Sequence, residues 1–169
     1  MNCAKYKNRY AEMKIALYFI GKNKEPLLKA EIDKFQKRLS SYCTMQIEEI
    51  PDVKNAKNLK PEQLKRAEEE KFLQHFKPND MVFLLDEKGK TFNSRSFASW
   101  MEKQMSLSSG RLVLCIGGAF GFSESLKQKA NGLISLSSLT LTHQMARIVL
   151  VEQIYRAFTI LNKHPYHND

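Results

Sequence analysis

The stretch LCIGGAFGFS, residues 114–123, ends a short apolar run in Gly117-Gly118 and sets Gly121 just ahead of Ser123. Glycines admit positive φ and let a ligand lie against bare backbone. Ser123 then offers a helix start with free N–H groups, which suits an anion. The spacing is GGxxG, however, not GxGxxG, and no GK[ST] follows, so neither nucleotide fingerprint is met. A plain tight turn accounts for the stretch equally well. A second stretch, SLSSLTL at residues 135–141, is long for a loop and keeps many backbone polar groups near a core. Those groups suit hydrogen bonding to a flat heterocycle, with Leu136, Leu139 and Leu141 against its faces. An adenine fits that description.

Acid–base candidates follow at once. His143 stands at the start of the last helical segment, and Arg147 lies one turn on, on the same face. His143 is read either as a capping or packing residue or as a chemical group. Arg147 is read as a contact to a phosphate or ring carbonyl, or as half of an ion pair with Glu152 or another carboxylate. Glu152 and Arg156, also one turn apart, read as an intrahelical pair. The ending KHPYHND holds HxxH, but Pro165 interrupts it and no third ligand is evident, so no metal is expected. Either this is a plain chain end, or it closes over a target base, with Tyr166 stacking and His164 or His167 hydrogen-bonding.

These residues need a frame. KIALYFI (14–20), TMQIEEIP (44–51), MVFLLD (81–86), RLVLCI (111–116) and LISL (133–136) read as strands. Between them lie helical patterns: 25–42, Pro61 to Phe76, Asn93 or Ser94 onward, Ser123 to Asn131, and Thr142 to about Asn162. EKGK reads as a turn, and KRAEEEK (65–71) as a solvated helix face. Strict alternation of strand and helix predicts a three-layer α/β domain with a mainly parallel sheet. In such sheets ligands bind beyond the strands' carboxyl ends, which singles out Leu84-Leu85-Asp86, Ile116-Gly117-Gly118 and the chain from Leu136 onward. The last helix is apolar around nearly its whole circumference, so it needs burial on two sides, and a second subunit is the simplest cover.

Composition narrows the classes. The chain has 169 residues, enough for one domain with a core. It carries 27 Lys plus Arg against 18 Asp plus Glu, a net charge of +9. That balance favours a polyanionic partner such as RNA. Lys22, Lys24, Lys54, Lys57, Lys60, Lys88 and Lys90 fall in loops or near strand ends and read as phosphate anchors or as solvated charge. Cys3, Cys43 and Cys115 are scattered, with no CxxC pair, which argues for a reducing compartment and against zinc. No run is long and apolar enough for a membrane span, and the start reads as no signal peptide. Residues 1–12 read as an extension, and 13–169 as one domain.

Taken together, LLDEKGK, CIGGAFGFS, SLSSLTLTHQMARIVLVEQIYRA and NKHPYH resemble the ribosomal RNA large subunit methyltransferase H family, of the SPOUT class of knotted methyltransferases. The resemblance runs from Met13 to His167, with Thr142 standing where many members have proline. It implies a C-terminal trefoil knot, a homodimer and a cytoplasmic enzyme that uses S-adenosylmethionine. It also implies methyl transfer to N3 of a pseudouridine in 23S ribosomal RNA on the assembled ribosome. The cofactor contacts it implies are Leu85, Gly117, Leu136, Ser137, Ser138, Leu139, Thr140 and Leu141. The imide N3 is weakly acidic, so its proton must be removed and the ring carbonyls stabilised. His143, Arg147, Tyr166 and His167 are the candidates. The alternatives are a knotted methyltransferase for another RNA such as transfer RNA, and a non-catalytic RNA-binding factor.

Overall fold

The computed structural model describes residues 12–107 and 109–166. The proposed extension, all but Glu12, and His167 lie outside them. In chain order the elements are β1 (Lys14–Ile20), α1 (Pro26–Leu39), β2 (Thr44–Ile50), a short 3₁₀ turn (Ala56–Asn58), α2 (Pro61–Leu73) and β3 (Met81–Thr91). Then come α3 (Ser94–Leu107), β4 (Leu112–Ile116), α4 (Glu124–Lys129), β5 (Gly132–Ser135) and α5 (His143–Leu161). The sheet has five strands in the order β2-β1-β4-β3-β5, and every neighbouring pair is parallel. The parallel α/β architecture expected from the alternating pattern is the one observed.

Burial explains why the strands look as they do. β1 from Ile15 and all of β4 are inside, covered on both faces, so their sequences are continuous apolar runs. β2 at the sheet edge alternates exposed and half-buried positions. One face of the sheet, through Leu17, Phe19, Leu112 and Leu114, packs on α1, α3 and α5 by way of Phe35, Met101, Leu150 and Phe158. The other face, through Ala16, Tyr18, Val113 and Cys115, meets Phe72 of α2 and Leu126 of α4. Each such large side chain taken from water stabilises the fold by about 1.5–3 kcal/mol.

Two expectations need correction. EKGK is not a turn that ends the strand. β3 runs on to Thr91 after a register break, and both Leu85 and Lys90 lie opposite Ile134 of β5. Residues 86–89 leave the ladder and return, as at a bulge. Gly89 permits the return, because a Cβ there would overlap the Ile134 backbone. α2 also differs from expectation. KRAEEEK is not a solvated face, since Glu68 and Glu69 are buried, at 6% and 7% exposure. Leu64, Glu68 and Phe72 are four residues apart and share one buried stripe of α2.

At the amino edge of the sheet all three side-chain nitrogens of Arg111 are engaged. Its Nε and Nη2 donate to the two Asp80 oxygens at 3.0 and 2.6 Å, and Nη1 donates to Tyr18 Oη at 2.9 Å. Nη2 also donates to the His75 carbonyl at 3.0 Å. Among the described residues no helix is long and apolar enough to cross a membrane, and no group of His, Cys, Asp and Glu gathers to hold a metal.

Candidate active site at the carboxyl ends of the strands

Three neighbouring strands deliver the first group of residues. Leu84 lies opposite Cys115, and Leu85 opposite Ile134. Gly117, Leu85 and Leu136 therefore close β4, the first half of β3 and β5 at about one level, with adjacent strands roughly 4.8 Å apart. Gly117 is buried, and a Cβ on it would stand 3.2 Å from the Phe122 ring, so the turn is packed tightly from behind. Gly121 has φ +71°, the left-handed region, and closes the turn by donating its N–H to the Gly118 carbonyl at 3.1 Å.

The run after β5 is open. Leu136, Ser137 and Leu141 are half-buried, while Ser138, Leu139 and Thr140 are exposed. Ser135 Oγ donates to the Ser137 carbonyl at 3.0 Å, and the Leu139 N–H donates to Ser137 Oγ at 2.9 Å. Among the described residues the backbone groups of Ser138, Thr140 and Leu141 take no other intrachain partner. Free donors and acceptors beside apolar side chains fit a flat, hydrogen-bonding ligand. Thr142 then caps α5, its Oγ1 accepting the Met145 N–H at 3.3 Å.

The phosphate-cradle reading of GGxxG fails, because the protein supplies its own anions there. Gly118 N–H donates to Glu68 Oε2 at 3.2 Å. Ser123 Oγ donates to Glu69 Oε2 at 2.6 Å while accepting the Leu126 N–H at 3.0 Å. Ser125 Oγ and Lys129 Nζ donate to Glu69 Oε1 at 2.9 and 2.8 Å. Burial pushes the Glu69 carboxyl up, but the Lys129, Ser123 and Ser125 hydrogen bonds outweigh it and hold it below the usual range. Glu68 goes the other way. Burial raises it, the single Gly118 N–H offsets only part, and nearby Asp52 adds to the rise.

Beside the glycine turn opens a cleft of about 710 Å³ at the carboxyl ends of β1, β2 and β4. Lys22, Lys24 and Lys57 line it with His143, Gln144 and Arg147, facing Asp52 and Glu68. His143 is exposed on the rim. Arg147 is only 2% exposed. Its Nη2 donates to the carbonyls of Ile20 at 2.6 Å and Gly21 at 3.0 Å, and the guanidinium stands 5.2 Å from the Phe19 ring centre. Glu49 lies 4.0 Å from Nη1, too far for a hydrogen bond. Nε and Nη1 are buried without a hydrogen-bond partner, and so is Gln144 Oε1. Burial lowers the Arg147 pKa, with Glu49 and Asp52 opposing.

Tyr166 is elsewhere. Its hydroxyl donates to Glu152 Oε1 at 3.2 Å, and its ring lies 4.8 Å from that of Tyr155 and 4.9 Å from the Arg156 guanidinium. Glu152 also takes the intrahelical bond from Arg156 at 2.6 Å. From His143 to Glu152 is two and a half turns of α5, about 14 Å. Within one chain the start of α5 and the tail are thus apart. Among the seven lysines singled out by sequence, Lys22, Lys24 and Lys57 line the cleft, and Lys90 lies over the Phe92 ring at 5.1 Å. Glu68, Asp52 and Gln144 were not singled out. For Glu68 the signal was present, a carboxylate at the centre of the Leu64–Phe72 stripe.

A parallel α/β sheet with a glycine turn and an open loop at its carboxyl edge defines a ligand-binding class, and comparison gives that class its name. The family described as "Predicted SPOUT methyltransferase" matches residues 13–167, and the chain belongs to it. Within that class its relatives are named ribosomal RNA large subunit methyltransferase H. One from Parabacteroides distasonis is 46% identical over 157 residues, 93% of this chain and all of the relative. One from Flavobacterium johnsoniae is 46% identical over 156 residues, covering 92% of this chain and 99% of the relative. In fold, the chain resembles the crystal structure of a probable methyltransferase from Bordetella pertussis, with a TM-score of 0.51 at 10% identity. The match covers 89% of this chain and 96% of the other.

Proposed function

We propose that this chain is an S-adenosylmethionine-dependent methyltransferase that methylates N3 of a pseudouridine in 23S ribosomal RNA on the assembled ribosome, in the cytoplasm. The observation that carries the reading is the meeting of Leu85, Gly117 and the 136–141 loop next to a basic cleft. The names of relatives aligned over more than nine-tenths of the chain supply the substrate.

When bound, S-adenosylmethionine supplies a sulfonium-activated methyl group that accepts the ring nitrogen's electron pair. The chain's own task is to hold, orient and exclude water. Leu85, Gly117, Leu136, Ser137, Ser138, Leu139, Thr140 and Leu141 hold the adenosyl group through backbone groups and leucine side chains. Arg147 stabilises charge on the ring carbonyls through its unpartnered N–H groups, and His143 stands at the mouth. Lys22, Lys24 and Lys57 take phosphates.

The reading includes a homodimer. α5 leaves Met145 42% exposed and Ile148, Val149, Ile160 and Leu161 half-buried, an apolar surface that a second copy would cover. A partner's tail would bring Tyr166 and His167 to a base from which this chain's own Tyr166, bonded to Glu152, is held apart. The reading also carries the family's trefoil knot, formed where α5 follows the 136–141 loop.

The test is mass mapping of modified nucleotides in ribosomal RNA from cells with and without the protein. An N3-methylated pseudouridine that disappears with the protein is the expected result. An unchanged ribosomal map, or a loss confined to transfer RNA, rejects the assignment. Calorimetry with S-adenosylmethionine separates an enzyme from an RNA-binding factor, because the latter need not bind the cofactor.

A further inference from the structure

We propose that the cleft beside the glycine turn receives the target base and that Glu68 is the group that takes the imide proton. The inference rests on the methyl-transfer reading above and adds a residue that the reading lacks.

Arg147 lines the cleft from α5. A guanidinium buried to 2% exposure with Nε and Nη1 unpartnered is costly unless something occupies the cleft to accept those hydrogens. Gln144 Oε1, buried and unpartnered on the same wall, asks for a donor. One planar ligand with both carbonyl oxygens and N–H groups meets both demands, and an imide ring is such a ligand. The cleft, at about 710 Å³, has room for a nucleotide turned out of its stack.

Glu68 lines the same cleft as Arg147. It is the buried carboxylate in the cleft, fixed from α2 through Leu64 and Phe72 packing and by one hydrogen bond from Gly118 N–H at 3.2 Å. Its Oε1 takes no hydrogen bond among the described residues, in contrast with Glu69 next to it, whose two oxygens take three side-chain bonds. Gly118 adjoins Gly117, so the carboxylate is bonded to the very turn assigned to the cofactor. Burial and Asp52 raise its proton affinity toward that of a useful base. The facing charged and titratable groups are Asp52, Lys22, Lys24, Lys57, His143 and Arg147.

The step balances simply. The N3–H bond breaks, and its proton goes to a Glu68 oxygen. The electron pair left on N3 forms the bond to the donor's methyl carbon, whose bonding pair stays with sulfur. Arg147 N–H groups bear on the ring oxygen where the negative charge collects. Glu68 returns its proton to water once the product has left.

Glu68→Gln keeps the shape and an oxygen for the Gly118 N–H while removing the base. The measurements are single-turnover methylation of ribosomes across pH, and calorimetric affinity for S-adenosylmethionine. The expected result is unchanged cofactor affinity and a rate at neutral pH lowered on the order of 100-fold or more. The deficit shrinks as pH rises, because hydroxide then ionises the imide instead. A wild-type rate in the variant overturns the proposal. So does a loss of rate accompanied by loss of cofactor binding, or one that no rise in pH relieves, since either marks Glu68 as only a prop for the turn. Failure of the wild-type protein to methylate ribosomes would strike the methyl-transfer reading instead.

Discussion

Buried charges in this chain divide by how completely they are satisfied. Arg111 spends its hydrogen bonds on Asp80, Tyr18 and the His75 carbonyl. Glu69 is saturated by Ser123, Ser125 and Lys129. Such groups do structural work, since little is left over for a ligand. Arg147 and Glu68 are half-satisfied, and both border the cleft. The Asp80 pair gives a clean stability test, because it lies at the amino edge, remote from that cleft. Burial pushes its carboxyl up, but hydrogen bonds from Arg111 and the Lys77 N–H, with the Arg111 charge, hold it below the ordinary range. A depressed carboxyl adds stability that is full above its unfolded pKa, near 3.9, and is lost as pH falls through its lower folded value. Asp80→Asn should therefore cost about 3 kcal/mol at pH 7, leaving the half-buried Arg111 without its anion. Urea titrations of both proteins should show the gap narrowing below about pH 4. A constant gap from pH 7 to pH 3 would show that charge is not its source.

At the scale of elements, β3 and β5 govern where the 136–141 loop begins. Ile134 meets β3 twice, at Leu85 and Lys90, and Gly89 sits against its backbone. A Cβ at residue 89 would press on main chain, which cannot swing aside as a side chain does. Gly89→Ala should cost about 1–3 kcal/mol by overpacking and weaken S-adenosylmethionine binding by displacing the loop's root. Urea denaturation read beside calorimetry tests both, and a variant of unchanged stability and affinity would refute the role. This second pass of β3 was the element hardest to read from sequence. EKGK is polar and carries a glycine, the mark of a turn, and only the partner strand reveals that it returns to the ladder. β1 and β4 were legible because burial on both sides writes a continuous apolar run, and α5 because its apolar pattern is long. The residues proposed to hold the cofactor were read from strand ends and the family resemblance. Glu68 was missed because a charge run reads as solvated, although Leu64 and Phe72 on either side mark its face as buried.

For the whole molecule the question is what a +9 chain does with its charge. Lys22, Lys24 and Lys57 are exposed, yet they gather on one cleft at the carboxyl edge of the sheet, while the amino edge closes on the Arg111–Asp80 pair. A surface charged only for solubility has no reason for that gathering. Each lysine that meets a phosphate releases counterions, so binding should weaken linearly on a log–log plot against salt. The slope is about 0.7 per contact on a single strand and about 0.9 on a duplex. Replacing Lys22, Lys24 and Lys57 together by Ala should lower affinity for ribosomes and flatten the slope by about 2–3. Urea stability should stay within about 0.5 kcal/mol, because exposed side chains without packing partners carry little of it. Replacing Lys29, Lys34 and Lys65 instead, which pair with Asp33, Glu31 and Glu62 on helix surfaces, should leave the slope unchanged. Equal effects from the two triple variants would mean that net charge alone draws the protein to RNA. A flattened slope from the cleft set alone would mean that the RNA backbone is held where the target base enters.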